Sequence, residues 1–348
     1  VRQALWNTGF SVIAMKKNKT KNYYNAFLQK LADKIIAGRA ATRSDAQKIN
    51  SLQGHDDLLM LVAQANRIRN HFRGTRIQLC AIVNAKSGRC SENCIFCAQS
   101  AHYKTEIESY PFLNEDKILA SAKTAQKNGA THFSIVMSGK GIASANELKK
   151  ICSSIHRIAQ NLDVIPCASL GILSRDQFLM LCEAGLKRYH HNLETAPSHF
   201  STICSTHRFT ERLQTVRMAQ EAGLEVCAGG IFGLGETPAQ RTELAFTLRD
   251  LAVDSVPLNF LHPIPGTPAA NFPPLAPLEI LKTIALFRFI MPRKEIRICG
   301  GRETGLRTLQ PLMYVAGADG TMIGNYLTTS GRNPSIDVQE VYDLGLTT

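Results

Sequence analysis

The stretch Ile77-Gln-Leu-Cys80-Ala-Ile-Val83 leads, after three residues, into Ser87-Gly-Arg-Cys90-Ser-Glu-Asn-Cys94-Ile-Phe-Cys97. The first part is a short apolar run of the kind that forms a buried strand. The second puts three thiols within eight residues, on the loop just after that strand. Structural zinc normally closes with four ligands, and the nearest further donor, His102, stands five positions beyond Cys97, outside the usual finger spacing. Three thiolates suit instead a cubane iron–sulfur cluster whose fourth iron lacks a protein ligand and can bind a small molecule. In barrel enzymes, the loop at the C-terminal end of a strand is where active sites are built.

Seven more strand-like runs follow, at His132–Met137, Val164–Ser169, Arg188–Asn192, Glu225–Gly229, Val256–Leu261, Glu295–Cys299 and Gly320–Ile323. Helical stretches separate them: Glu115–Asn128, Asn146–Ala159, Arg175–Ala184, Thr210–Ala222, Pro238–Leu251, Leu278–Met291 and Leu306–Ala316. Strands alternating with helices pair in parallel through right-handed crossovers. Gly129, Gly185 and Gly223 stand where left-handed helix caps precede a strand. Eight units predict an α/β fold, a (β/α)8 TIM-type barrel; an open flavodoxin-like sheet would use fewer strands. Tyr24–Ala37 and His55–Phe72 predict an N-terminal helical extension, with Ser44 as the N-cap of a third helix between them. The expected organisation is a disordered basic segment at 1–20, helices packed on the barrel at 21–75, the barrel at 76–330 and a C-terminal tail at 331–348.

The formal charge is +12, and residues 1–50 supply +8 of it, ten Lys or Arg against Asp33 and Asp45. The charge therefore marks a solvated N-terminal segment rather than a nucleic-acid surface, and no recognition motif accompanies it. No apolar run approaches the length of about 18–20 residues that a membrane span requires. Val1–Ala14 lacks the pattern of a secretory signal, and Met15 reads equally as an internal start. Ten cysteines without an export signal point to reduced thiols and cluster ligands in a cytoplasmic protein.

Cys-x3-Cys-x2-Cys with Phe96 before the last cysteine resembles the radical S-adenosylmethionine (SAM) superfamily. Further blocks resemble the biotin synthase family: Ala98-Gln-Ser-Ala-His-Tyr-Lys-Thr105, Tyr189-His-His-Asn-Leu-Glu-Thr195, Cys227-Ala-Gly-Gly-Ile-Phe-Gly-Leu-Gly-Glu236, Val256-Pro-Leu-Asn259, Gly266-Thr-Pro268, Gly301-Arg-Glu303 and Leu327-Thr-Thr329. The resemblance covers roughly Cys80 to Thr329. It implies a [4Fe-4S] cluster on Cys90, Cys94 and Cys97, SAM bound with Phe96, Asn192, Glu194 and Arg208, and dethiobiotin bound by His190, Asn192 and Asn259. An amide side chain suits the ureido ring, since an Asn both donates and accepts. His190 stands where many members of the family have asparagine.

The resemblance also implies an auxiliary cluster that gives up the sulfur, held in the common form by three Cys and one Arg. Cys167, Cys227 and Arg297 match that set, but the position on the second strand is Ser134. A serine oxygen is a harder donor than thiolate and a poor replacement at iron. Cys299 lies two residues beyond Arg297 and faces the same side of a strand. The expected auxiliary ligands are therefore Cys167, Cys227 and Cys299 with Arg297 beside them, and the cluster is [2Fe-2S] or a variant of it. Cys80, Cys152, Cys182 and Cys204 stand outside any matching motif and receive no role.

The implied reaction is sulfur insertion at a methyl and a methylene carbon of dethiobiotin. The implied partners are a flavodoxin- or ferredoxin-type electron donor and a second copy in a homodimer. A hydrogenase maturase shares the barrel and the triad but not sulfur insertion, and Cys227 with Cys167 and Asn259 argues against it. Lipoyl synthase carries a second compact cysteine triad near its N-terminus, and residues 1–79 contain no Cys. An electron carrier would hold clusters without cleaving SAM.

Overall fold

The structure is a computed structural model that describes residues 24–348. The expectation of a disordered basic segment at 1–20 lies outside the described residues. Nine strand pieces form one all-parallel sheet: β1 (Gln78–Lys86), β2 (His132–Met137), β3 (Ile165–Ser169), β4 (Arg188–His190), β5 (Glu225–Cys227), β6 (Gly230–Phe232), β7 (Ser255–Phe260), β8 (Glu295–Ile298) and β9 (Gly320–Met322). Pairing runs from β1 through β2, β3 and β4 to β5 on one side, and through β9 and β8 to β7 on the other. Both β5 and β6 meet β7, which closes the ring at eight positions.

β5 and β6 are one barrel position, expected as Glu225–Gly229 and found in two pieces that reach Phe232. Close backbone approach explains the break. A Cβ on Gly229 would lie 1.9 Å from the Pro257 carbonyl oxygen, and one on Gly230 would lie 2.4 Å from that of Glu194. Only glycine admits neighbouring strands this near.

Strand alternation divides each wall. Phe133 and Ile135, Val256 and Leu258, and Ile296 and Ile298 are buried in the main apolar core, which lies between the sheet and its helices. The alternate positions Ser134, Pro257, Asn259 and Arg297 line an internal cavity. The helices supply matching stripes. In the helix Ala145–Asn161 the buried residues Leu148, Ile151, Ile155 and Ile158 recur at helical spacing behind a Ser144 cap. The ring's floor is charged: Arg188 pairs with Glu225 at 2.8 Å and with Glu295 at 3.1 Å, and Glu295 also hydrogen-bonds Arg297.

Residues 24–36 form α1, followed by α2 (Arg43–Asn50) and α3 (His55–Arg73), all outside the ring. The cap of α2 is Thr42, not Ser44: the Thr42 hydroxyl accepts from the Asp45 N–H, and the Asp45 carboxylate accepts from the Thr42 N–H, a reciprocal capping box that Ser44 sits too late to make. The helix expected over Leu306–Ala316 is broken into Arg302–Leu306, a single 3-10 turn Arg307–Leu309 and Leu312–Val315. Pro311 has no N–H to continue it, and Arg307 takes a φ of 55°. After residue 330 the chain forms another helix, Pro334–Asp343. Its fully buried Asp337 lies 2.7 Å from Arg302 and 2.5 Å from Arg332. Breaking a pair this deeply buried costs about 3–5 kcal/mol, which pins that helix beside the barrel. No helix among the described residues is long and apolar enough to cross a membrane.

Candidate active site in the barrel mouth

A cavity of about 420 Å³ opens at the C-terminal ends of the strands and reaches down into the ring. Cys90, Cys94, Cys97 and Phe96 line its upper part, on the loop after β1. The chain enters this loop through Gly88 at φ 75°, where a Cβ would lie 2.0 Å from the Ser109 hydroxyl oxygen. The loop is closed by its own backbone: Cys90 N–H donates to Gln99 O at 2.9 Å, Ala101 N–H to Cys90 O at 2.7 Å, and Cys97 N–H to Cys94 O at 3.0 Å. Ile95 N–H donates to Ile203 O at 3.0 Å, so the segment before the helix Phe209–Glu221 clasps it from outside.

That clasp brings Cys204 and His207 beside Cys94, their ligand atoms all within 4.8 Å of one another. His207 Nδ1 lies 2.6 Å from Glu92 Oε2, and its Nε2 accepts from Arg212 Nε at 3.0 Å. The hydrogen bond with Cys204, added to burial, pushes the Cys94 thiol up, and burial pushes Cys97 up to about 11. Cys94 and Cys97 therefore hold their protons until a Lewis acid replaces them.

The ends of β4 and β6 form the next wall. Asn192 Oδ1 accepts from Gly229 N–H at 3.1 Å. Glu194 adopts φ 68°, rare for a residue with a side chain, and its Oε2 is buried with no hydrogen-bond partner. Strain and an unpartnered carboxylate oxygen in one residue mark a ligand-facing position.

Arg208 does not reach this cavity. It precedes its helix with extended backbone and is exposed. Arg212, one turn later, faces the cavity instead, with Nη1 2.8 Å from Asn192 O and 3.4 Å from Glu194 Oε1. Arg212 shares helical spacing with the buried Thr215, Val216 and Ala219, which puts it on the inward face of its helix.

Deeper in the ring the cavity is lined by Cys167 of β3, Cys227 of β5, Arg297 of β8 and Cys299 just past it. All four are buried. Ser134 of β2 faces the same space, and its hydroxyl and Arg297 Nε have no hydrogen-bond partner. Cys80 of β1 belongs to this wall too, although its lone position in the sequence had suggested no role. A hydrogen bond with Cys299 brings the Cys80 thiol down to about 6 against the burial that raises it, with Arg297 adding positive charge; Cys299 rises correspondingly.

His190 is the register partner of Cys227, and its ring hydrogen-bonds that thiol. Asn259 braces the backbone on both sides, Nδ2 donating to Gly230 O at 3.2 Å and Oδ1 accepting from Gly300 N–H at 2.9 Å. One amide hydrogen and one lone pair remain for a ligand. His191, which the sequence reading passed over, also lines the cavity, with Nε2 buried and unpartnered.

The closed parallel barrel with a three-thiol loop over its mouth is the architecture of a radical SAM enzyme, and residues 85–248 match the family model of that superfamily. Residues 257–347 match the model of the Biotin and Thiamin Synthesis associated domain. The chain belongs to the biotin synthase family. It is 52% identical over 319 residues to the biotin synthase of Geobacter sulfurreducens, covering 92% of this chain and 97% of that one. It is 49% identical over 316 residues to that of Pelotomaculum thermopropionicum, covering 91% and 98%. Among solved structures, methylornithine synthase superposes with a TM-score of 0.81 at 21% identity, over 91% of this chain and 96% of that one. The FeFe-hydrogenase maturase of Carboxydothermus hydrogenoformans gives 0.76 at 19%, over 96% and 83%. These two share the fold, and the sequence kinship with biotin synthases decides against the maturase alternative.

Proposed function

We propose that this chain forms biotin from dethiobiotin, with Cys90, Cys94 and Cys97 holding a [4Fe-4S] cluster and the deeper thiols Cys167, Cys227 and Cys299, with Arg297 beside them, holding an auxiliary cluster. The carrying observation is that one cavity is lined at its top by the three-thiol loop and at its depth by a second group of cysteines. The donors suit these groups: thiolates are the preferred ligands of iron–sulfur clusters, and the buried Ser134 and Arg297 polar atoms without partners mark a wall built around something polar. When bound, the two clusters and SAM supply an electron, a carbon-centred radical and the sulfur atom.

This chain's residues bind, orient and seal. Glu194 Oε2 is the free acceptor for the ribose hydroxyls of SAM, beside Asn192 and Phe96. Arg212 takes the role expected of Arg208, as a cation held between Glu194 and His207 at the edge of the SAM site. Asn259 offers its remaining donor and acceptor to the ureido ring. His190 stands beside Cys227 and flanks the same ring. Burial in the barrel excludes water from a radical that would otherwise be quenched.

Residues 76–330 carry the chemistry, and the helices described over residues 24–73 support the barrel. Electrons come from a flavodoxin- or ferredoxin-type donor, and the chain works as a homodimer. Ten free thiols suit a reducing, cytoplasmic setting.

The test is anaerobic reconstitution, followed by iron and sulfide counts and by assay of 5′-deoxyadenosine and biotin with dithionite, SAM and dethiobiotin. The triad's cluster accounts for about four irons. Iron above that number together with biotin is the expected result. About four irons with deoxyadenosine and no biotin would overturn sulfur insertion. Within the same assay, Arg212→Ala is expected to lower kcat/KM for SAM by about 10- to 100-fold, the worth of a charge-assisted hydrogen bond. Arg208→Ala is expected to leave it unchanged, and the reverse pattern would restore the original assignment.

A further inference from the structure

The geometry points to Cys80 as a fourth thiolate ligand of the auxiliary cluster, so that four cysteines, Cys80, Cys167, Cys227 and Cys299, hold it with Arg297 as a neighbouring counter-charge. The inference rests on the reading that the inner site carries that cluster, and it changes the ligand set from three thiols to four.

Strand register carries the argument. Cys80 of β1 pairs with Met322 of β9. Arg297 of β8 pairs with Gly320, two residues earlier on β9, so Cys299 stands level with Met322. Cys80 and Cys299 therefore face each other across β9 at one height of the barrel. Together with Met322 they form a separate buried cluster, with only 6–8% of each residue exposed. The two remaining thiols come from the facing part of the ring. Cys167 pairs with Arg188, and Arg188 in turn with Glu225, two residues before Cys227. All four cysteines line the same cavity.

Buried cysteine is usually a small apolar filler. This wall is not apolar. Arg297 lies among the thiols, Arg188 and Glu295 form the floor below, and the Ser134 hydroxyl and Arg297 Nε are buried without partners. Such groups in a dry core would cost stability with nothing in return. Around a bound cluster they have a purpose, because four thiolates bring negative charge that a guanidinium balances.

The position of Ser134 fits the same account. It faces Cys167 across β2 and β3, where a thiol would complete a set on that side of the ring. Serine is a hard donor that iron in such clusters disfavours. The additional thiols occupy β1 and the end of β8 instead. Four thiolates are the full complement of a cubane or a two-iron cluster, so no serine or arginine ligand is needed. Each thiol releases its proton on binding.

The test compares the full chain with Cys80→Ala, Cys80→Ser and Cys167→Ala after anaerobic reconstitution. Iron, sulfide, the visible and Mössbauer spectra, thermal melts and deoxyadenosine formation are all read. The expected result is that both Cys80 variants keep the melt of the unmodified chain and the iron of the triad's cluster. Cys80→Ala loses at least half of the iron beyond the triad's, or keeps iron with a shifted spectrum, and Cys80→Ser shifts its charge-transfer bands as an oxygen ligand requires. Unchanged iron and spectra in both Cys80 variants, with iron lost in Cys167→Ala, would overturn the role of Cys80 and leave the auxiliary cluster standing. Unchanged iron in Cys167→Ala as well would overturn the auxiliary reading and this inference with it.

Discussion

Replacing Cys94 with alanine is expected to abolish 5′-deoxyadenosine formation and to remove about four irons per chain while leaving the barrel folded. The loop's shape does not come from the thiols. It is closed by backbone hydrogen bonds from Cys90, Cys97 and Ala101, and it is clasped from outside through Ile95 and Ile203. Alanine therefore removes a ligand without removing the support. Two thiolates cannot hold a cubane that also leaves one iron open, so no intermediate activity is expected. Iron counts, deoxyadenosine assay and a thermal melt on the same preparation check it. Retained deoxyadenosine would exclude Cys94 as a ligand, and Cys204, which lies within 4.8 Å, would be the thiol to test in its place.

The alternation of strands and helices was readable because it is local: each run carries its own period, and each glycine cap its own backbone demand. The triad was readable for the same reason, being a spacing within one loop. What the sequence hid is what depends on neighbours far along the chain. Glu225–Gly229 reads as one strand because nothing local announces that the Pro257 and Glu194 carbonyls press on Gly229 and Gly230. Arg208 and Arg212 stand one helical turn apart, and the choice between them depends on where the helix begins, the least certain feature of a sequence pattern. The alternation of β1 cannot show by itself that Cys80 meets Cys299, because that meeting passes through the register of β9. The charged floor of Arg188, Glu295 and Arg297 likewise exists only once three strands are laid side by side.

Replacing Cys227 with alanine is expected to separate the two halves of the reaction. Biotin should fall to background while deoxyadenosine formation continues. Cys227 sits deep in the ring, hydrogen-bonded to His190, and it belongs to none of the contacts that shape the triad loop. Alanine in its place leaves β5 paired with β4 and β7 through backbone alone. The melt should therefore move little, since Cys to Ala removes one buried sulfur from a wall that already borders a cavity. On the proposed ligand set, the group lost is the inner sulfur source. An enzyme that still generates its radical but has no sulfur to insert spends SAM without product, and the ratio of deoxyadenosine to biotin reports this directly. Biotin formed at the unmodified rate would mean that the sulfur comes from elsewhere, and the deeper thiols would then be packing residues. Loss of both products together with an unchanged melt would mean that the inner group also governs cleavage of SAM, which the division of the cavity into an upper and a lower set of thiols does not allow.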